Sequence, residues 1–211
     1  AAQRDMNIRV SHVVMMGMGE PLDNFDNAMR FLELVGDGKG LNLSLRNISL
    51  STCGVVPRIY DLMERHLQLT LSVSLHAPNN EMRSKTMPIN KKYPIEELLK
   101  ACREYTKRTS RRISFEYAMI KDVNDSDACA YELAALLKGM LCHVNLIPAN
   151  EIVESSHKRS TNERLESFIK ILNSRGINAT VRRSLGSDID ASCGQLRSRH
   201  NREISEKEGN K

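Results

Sequence analysis

The chain has 211 residues, 40% of them hydrophobic and 27% charged, with 31 Lys and Arg against 26 Asp and Glu. That is long enough to bury a core and too apolar for a disordered segment. No run approaches the ~18 apolar residues of a membrane span, and no charged-then-apolar leader opens the chain. The cysteines at 53, 102, 129, 142 and 193 are odd in number and widely spaced, which argues against a disulfide framework and for a reducing, cytoplasmic setting. No two are close enough for a zinc knuckle or a cluster loop, so the sequence offers no local metal site.

Strand and helix patterns alternate along the chain. The run 13–18 reads as a buried strand that stops in Gly17, Gly19, Glu20 and Pro21. Glycine permits a sharp bend or a close backbone approach, and proline forbids the strand from continuing. A helix follows over 24–35, a strand over 45–52, and a short helix over 58–65 opened by Pro57. From Leu67 to Leu75 the apolar residues alternate with Gln68, Thr70, Ser72, Ser74 and His76. That two-residue period is either one solvated sheet face or, in a parallel barrel, a polar side facing the lumen.

Residues 94–109 form a helical stripe through Leu98, Leu99, Cys102 and Tyr105, and 113–120 a strand with Glu116 in its middle. A carboxylate there must meet a partner or line a wet cavity. Ser126 caps a helix running to about Lys138, and 142–147 is a strand closed by Pro148 and Asn150. The box from Ser160 to Glu163 opens a helix that ends at Gly176, and 177–183 is the last strand. Six strands with helical crossovers predict an α/β fold, a partial (β/α)6-type barrel with parallel strands, with a doubly wound sheet as runner-up. Residues 1–198 read as one incomplete barrel domain and 199–211 as a polar tail.

Parallel barrels place their chemistry at the C-terminal ends of the strands. Here those ends are Gly19 and Glu20, Ser51, the run Ser74, Leu75 and His76, and Asn150. Singly, Ser51 and Ser74 read equally as turn formers, His76 as a satisfied strand-end histidine and Asn150 as an Asx turn. Together they make a polar mouth on an apolar barrel, which is a ligand site by default. Cys193 lies among small and polar residues, outside any amphipathic stripe. Arg182, Arg183 and Arg197 favour its thiolate while Asp188 and Asp190 oppose it, so a structural and a reactive Cys193 both stand. The basic cluster Lys107, Arg108, Arg111 and Arg112 reads by itself as a solvated face. A second one, from Arg182 to Arg202, brackets Cys193 and fits phosphate contact.

Five motifs in order carry a resemblance: Met16-Gly17-Met18-Gly19-Glu20-Pro21-Leu22, Leu50-Ser51-Thr52-Cys53-Gly54-Val55-Val56-Pro57, Ser72-Val73-Ser74-Leu75-His76-Ala77, Val144-Asn145-Leu146-Ile147-Pro148-Ala149-Asn150 and Asp188-Ile189-Asp190-Ala191-Ser192-Cys193-Gly194-Gln195-Leu196. From about Val10 to His200 the chain resembles the radical S-adenosylmethionine RNA methyltransferases that methylate adenine C2 in 23S rRNA and certain tRNAs. The resemblance implies a radical-SAM barrel with S-adenosyl-L-methionine and a [4Fe-4S] cluster as cofactors. Gly19, Glu20, Ser51, Ser74, Leu75, His76 and Asn150 would contact S-adenosylmethionine, and Cys193 would accept a methyl group as the catalytic cysteine. A second cysteine would release the product by forming a disulfide with it. Implied partners are 23S rRNA, tRNA and an electron donor such as flavodoxin, for a monomer that needs no membrane.

The family's Cys-x3-Cys-x2-Cys cluster loop is absent from the sequence. With a start at Ala1 and no initiator Met, the expectation is a C-terminal piece of a longer enzyme, with the cluster ligands and resolving cysteine upstream and no reaction catalysed by these 211 residues alone. The nearest rival is the sister activity at adenine C8, which confers antibiotic resistance, and the proline of Gly-Glu-Pro-Leu favours C2. A non-catalytic RNA-binding fragment is the alternative from another class; it would bind RNA with steep salt dependence but no S-adenosylmethionine. A metabolic barrel enzyme would want a Gly-rich phosphate loop before its last helices, and none is present.

Overall fold

A computed structural model describes residues 2–17, 19–149 and 158–182. Six strands form one parallel sheet: β1 (Val13–Met15), β2 (Ile48–Thr52), β3 (Thr70–Ser74), β4 (Ile113–Met119), β5 (Cys142–Pro148) and β6 (Ala179–Val181). Their spatial order is their chain order. A doubly wound sheet reverses direction at a switch point, so the runner-up fold is excluded and the partial-barrel reading stands. Among the described residues β1 and β6 do not pair with each other, so the sheet is open.

The helices are α1 (Ala2–Met6), α2 (Phe25–Gly36), α3 (Val56–Glu64), α4 (Asn80–Thr86), α5 (Ile95–Thr109), α6 (Asp127–Leu137) and α7 (Asn162–Ser174). Most follow from the sequence within a few residues. Pro57 sits in the first turn of α3, and the Ser126 hydroxyl accepts from Cys129 N at the start of α6. The cap of α7 falls one residue later than the box implied. Thr161 accepts from Arg164 N, while the Ser160 hydroxyl is buried without a hydrogen-bond partner among the described residues. α4 has no counterpart in the predicted elements. Being short, it shows too few apolar repeats to register as a helical period; the Asn79 side chain, accepting from Met82 N, starts it.

The alternation in β3 separates two environments. Leu71 and Val73 are fully buried in one continuous core with Leu32, Ile59, Leu98, Leu133 and Phe168 from the helices. Thr70, Ser72 and Ser74 lie on the opposite, concave face. There Ser51 aligns with Ser72, Ser74 with Glu116, and Glu116 with Asn145. The lumen reading of the period therefore holds. Polar groups on this face pair with one another: Ser49 Oγ lies 2.9 Å from Ser72 Oγ in a part-buried place, and toward the β6 edge His143 Nε2 lies 2.9 Å from the exposed Thr180 Oγ1.

Candidate cofactor site

The turn after β1 brings the first predicted residues into place. Gly19 adopts φ +93°, a conformation that L side chains rarely take. Glu20 is the N-cap of a 3-10 turn over Pro21–Asn24. Its Oε1 accepts from Leu22 N at 3.0 Å and its Oε2 from Cys53 N at 2.7 Å. The second bond ties the β1 turn to the end of β2. A cavity of about 560 Å³ between β1 and α2 is lined by Val14, Gly17, Gly19, Glu20, Asn27 and Phe31. It shares only Gly19 and Glu20 with the predicted set; Ser51 and Ser74 lie on the concave face.

Ser51 faces that concave side from β2, half-buried and without a side-chain partner among the described residues. Leu75 is a core residue, fully buried. Its N–H donates to Glu116 O at 3.0 Å and its C=O accepts from Arg83 Nε at 3.2 Å.

His76 is locked on every side. It holds the left-handed φ of +59° and donates its N–H to Glu116 O. Its C=O accepts from Asn124 Nδ2 at 2.8 Å, and its Nδ1 accepts from Ala118 N at 3.0 Å. Because Nδ1 is an acceptor, the neutral ring carries its proton on Nε2. Burial, with help from the Arg83 charge, lowers the His76 pKa from 6.5 to about 4. Near neutral pH the ring is therefore an uncharged Nε2–H donor. Of the run 74–76, Ser74 Oγ and His76 Nε2 are the polar side-chain atoms left free among the described residues.

Asn150 and Cys193 lie outside the described residues, as do most of the second basic cluster and the tail. The four described cysteines are free thiols. Cys102, Cys129 and Cys142 are core residues, with Cys102 pushed up to about 12 and Cys142 to about 11 by burial. Cys53 stands at the site itself. Burial first, then hydrogen bonding to the Glu20 carboxylate, raises its thiol to about 12. Cys53, Cys102 and Cys142 therefore offer no thiolate at neutral pH. No three His, Cys, Asp or Glu side chains among the described residues are grouped to hold a metal ion. The described residues therefore do not fit a [4Fe-4S] cluster, which needs thiolate ligands.

Three residues that sequence reasoning did not place at the site belong to its frame. Glu116, 5% exposed, accepts from Ser114 Oγ at 3.1 Å and Asn145 Nδ2 at 2.8 Å. Its mid-strand position was the signal for it. Asn124 reads in the sequence as an ordinary turn residue. In the structure its Nδ2 donates to both His76 O and Ala118 O, and its Oδ1 accepts from Ile120 N. Arg83 gave no sequence signal at all. The first basic cluster lies at the opposite end of the sheet, where Arg108 pairs with Glu64 at 2.8 Å and Arg111 Nε donates to Leu69 O.

Residues 2–134 match the model of the radical SAM superfamily. The chain belongs to that superfamily. Superfamily membership implies S-adenosylmethionine and a [4Fe-4S] cluster as cofactors. A relative from Clostridium tetani, described as a probable dual-specificity RNA methyltransferase RlmN, is 54% identical over 199 residues, covering 94% of this chain and 57% of the relative. One of the same description from Clostridium novyi is 55% identical, covering 93% and 57%. A crystal structure of a radical SAM methyltransferase from Sphaerobacter thermophilus superposes with a TM-score of 0.88 at 49% identity, covering 92% of this chain and 57% of that one. A domain of a pyruvate-formate lyase-activating enzyme from Bacteroides vulgatus, at 18% identity and a TM-score of 0.64, shares the fold. The chain thus spans a little over half the length of the Clostridium relatives and of the Sphaerobacter methyltransferase.

Proposed function

We propose that this chain is the cofactor-binding and methyl-accepting part of an RNA methyltransferase that acts on adenine C2 in 23S rRNA and tRNA. The observation that carries the reading is the convergence of Gly19, Glu20, Ser51, Ser74 and His76 on one rim of a radical SAM sheet. The two Clostridium relatives, described as dual-specificity RNA methyltransferases, support the substrate class. Bound at that rim, S-adenosylmethionine supplies an electrophilic methyl group on a sulfonium. The His76 Nε2–H and the Ser51 and Ser74 hydroxyls are uncharged groups that can donate to its polar atoms without repelling its positive sulfur. Glu20 holds the rim's first turn against β2, and Asn150 completes the set.

Cys193 is the proposed methyl acceptor. A soft thiolate is a competent nucleophile toward a methyl sulfonium. The raised pKa of Cys53, Cys102 and Cys142 leaves those thiols protonated. No step is assigned to the cluster, because the described residues hold no ligand set for it. The resolving cysteine of the proposed disulfide, a flavodoxin-type electron donor, a monomeric state, a cytoplasmic location and the limits 1–198 and 199–211 belong to the same reading. Among the described residues no helix is long and apolar enough to cross a membrane.

Disrupting the gene that encodes the chain and analysing nucleosides from 23S rRNA and tRNA by mass spectrometry tests the proposal. The expected result is loss of 2-methyladenosine from both. Unchanged 2-methyladenosine, or loss of an 8-methyl isomer in its place, sinks it.

A further inference from the structure

Arg83 is fully buried, and the described residues bring no carboxylate to it. Its guanidinium donates from Nε to Leu75 O at 3.2 Å and from Nη1 to Asn90 Oδ1 at 3.1 Å. From Nη2 it donates to Cys53 O at 2.7 Å and Ser74 O at 3.1 Å. A cation stripped of water and met only by neutral oxygens is an expensive way to fill a core, where an apolar side chain of similar size often does as well. What a guanidinium adds is a rigid planar fork with donors at fixed angles, which lysine cannot reproduce. The fork here grips the end of β2 through Cys53 and the end of β3 through residues 74 and 75. The fit is tight: a Cβ on Gly54 would stand 3.1 Å from both Leu98 methyls and 3.4 Å from Arg83 Nη2.

We infer that Arg83 is a positioning residue of the cofactor site: it fixes the spacing of the β2 and β3 ends, so that Ser51, Ser74 and His76 meet the ligand from set places. The inference rests on the cofactor reading above. With Arg83 holding the carbonyls of residues 53, 74 and 75, and Glu116 O holding the amides of 75 and 76, the strand ends cannot rotate their side chains away independently.

The test is calorimetric titration of S-adenosylmethionine into the 211-residue chain and into Arg83→Lys, Arg83→Gln and Arg103→Gln, each also melted thermally. Arg103 is the control. Its guanidinium likewise binds backbone carbonyls, those of Leu136 and Lys138, but at the other end of the sheet. Well below each melting temperature, Arg83→Lys should weaken binding by roughly tenfold and Arg83→Gln further, toward the ~100-fold that a misplacement of about 1 Å can cost. Arg103→Gln should lower the melting temperature and leave affinity unchanged. Equal affinity in the wild type and both Arg83 variants overturns the assignment alone. No binding by the wild type overturns the cofactor reading and this inference with it. Should neither Arg83 variant fold, amide exchange in the wild type decides. Slowed exchange at Leu75 and His76 on saturation supports the assignment, and unchanged exchange there overturns it.

Discussion

From β1 to β4 the C-terminal ends of neighbouring strands are tied by sheltered polar side chains, whereas at the N-terminal ends the contacts are apolar packing and exposed ion pairs, with the part-buried Arg111 Nε on Leu69 O as an exception. Glu20 joins the β1 turn to β2, and Arg83 joins β2 to β3. His76 and Asn124 join β3 to β4, and midway along the strands Glu116 with Asn145 joins β4 to β5. At the other end Leu69 and Ile113 are fully buried, and the charges above them, Arg108 with Glu64, are about half exposed. Backbone pairing along all six strands and apolar packing of the core hold the sheet together. Sheltered polar ties are costly if left incomplete and geometrically exacting, so they belong where positions must be set rather than where mass must be buried.

The largest break in that pattern should come from Asn124→Ala. It leaves Ile120 N, His76 O and Ala118 O without their partners in a nearly buried place and frees His76 to leave its left-handed conformation. Urea unfolding should show a loss of about 4 kcal/mol, the sum of unsatisfied groups at about 1–3 kcal/mol each after partial relaxation. A loss below about 1 kcal/mol would show that the tie is decorative.

His76 predicts the next effect. Its folded pKa of about 4 lies below the unfolded 6.5, so between those values the unfolded chain binds more protons. The neutral ring's contribution is complete above pH 6.5 and is lost as pH falls toward 4, on the order of 3 kcal/mol in all. In His76→Gln the acid slope of stability over that window should flatten; an identical slope in the variant refutes the buried neutral ring.

Glu20→Gln is expected to cost less, about 1–2 kcal/mol, because one acceptor oxygen remains for Leu22 N or Cys53 N but not both. It should also let the Cys53 thiol ionise more readily, since the carboxylate contributes to its raised pKa. Alkylation of Cys53 at pH 9 should therefore speed up, and an unchanged rate argues that burial alone protects the thiol. At the opposite end, Arg108→Ala should shift stability by less than about 0.5 kcal/mol and disappear into the noise at high salt. A larger, salt-resistant effect there would erase the contrast between the two ends.

Much of the fold was legible because it rests on periodicity. The strict alternation of β3, the stripe of α5 and the Ser126 cap each need only neighbouring residues to be recognised. α4 escaped because its seven residues bury only Arg83, a charged side chain that does not register as apolar. The box before α7 misled by one residue because Ser160 and Thr161 offer equivalent hydroxyls, and packing decided which one turned inward. At the candidate site, strand-end position pointed to Glu20, Ser51, Ser74 and His76 as proposed ligand contacts, yet nothing local marked Asn124 or Arg83.

By itself the amino-acid sequence determined the order of strands and helices, which strand face is polar, and where the backbone must turn at Gly19. Those are local properties, set by side-chain pattern and by which residues tolerate positive φ. Only the tertiary structure decided that Glu20 reaches Cys53 across 33 residues, that Ala118 chooses the His76 tautomer across 42, and that Arg83 grips Cys53 across 30. A hydrogen bond is specified by where two atoms end up, and for atoms so far apart along the chain that place exists only once the sheet has formed.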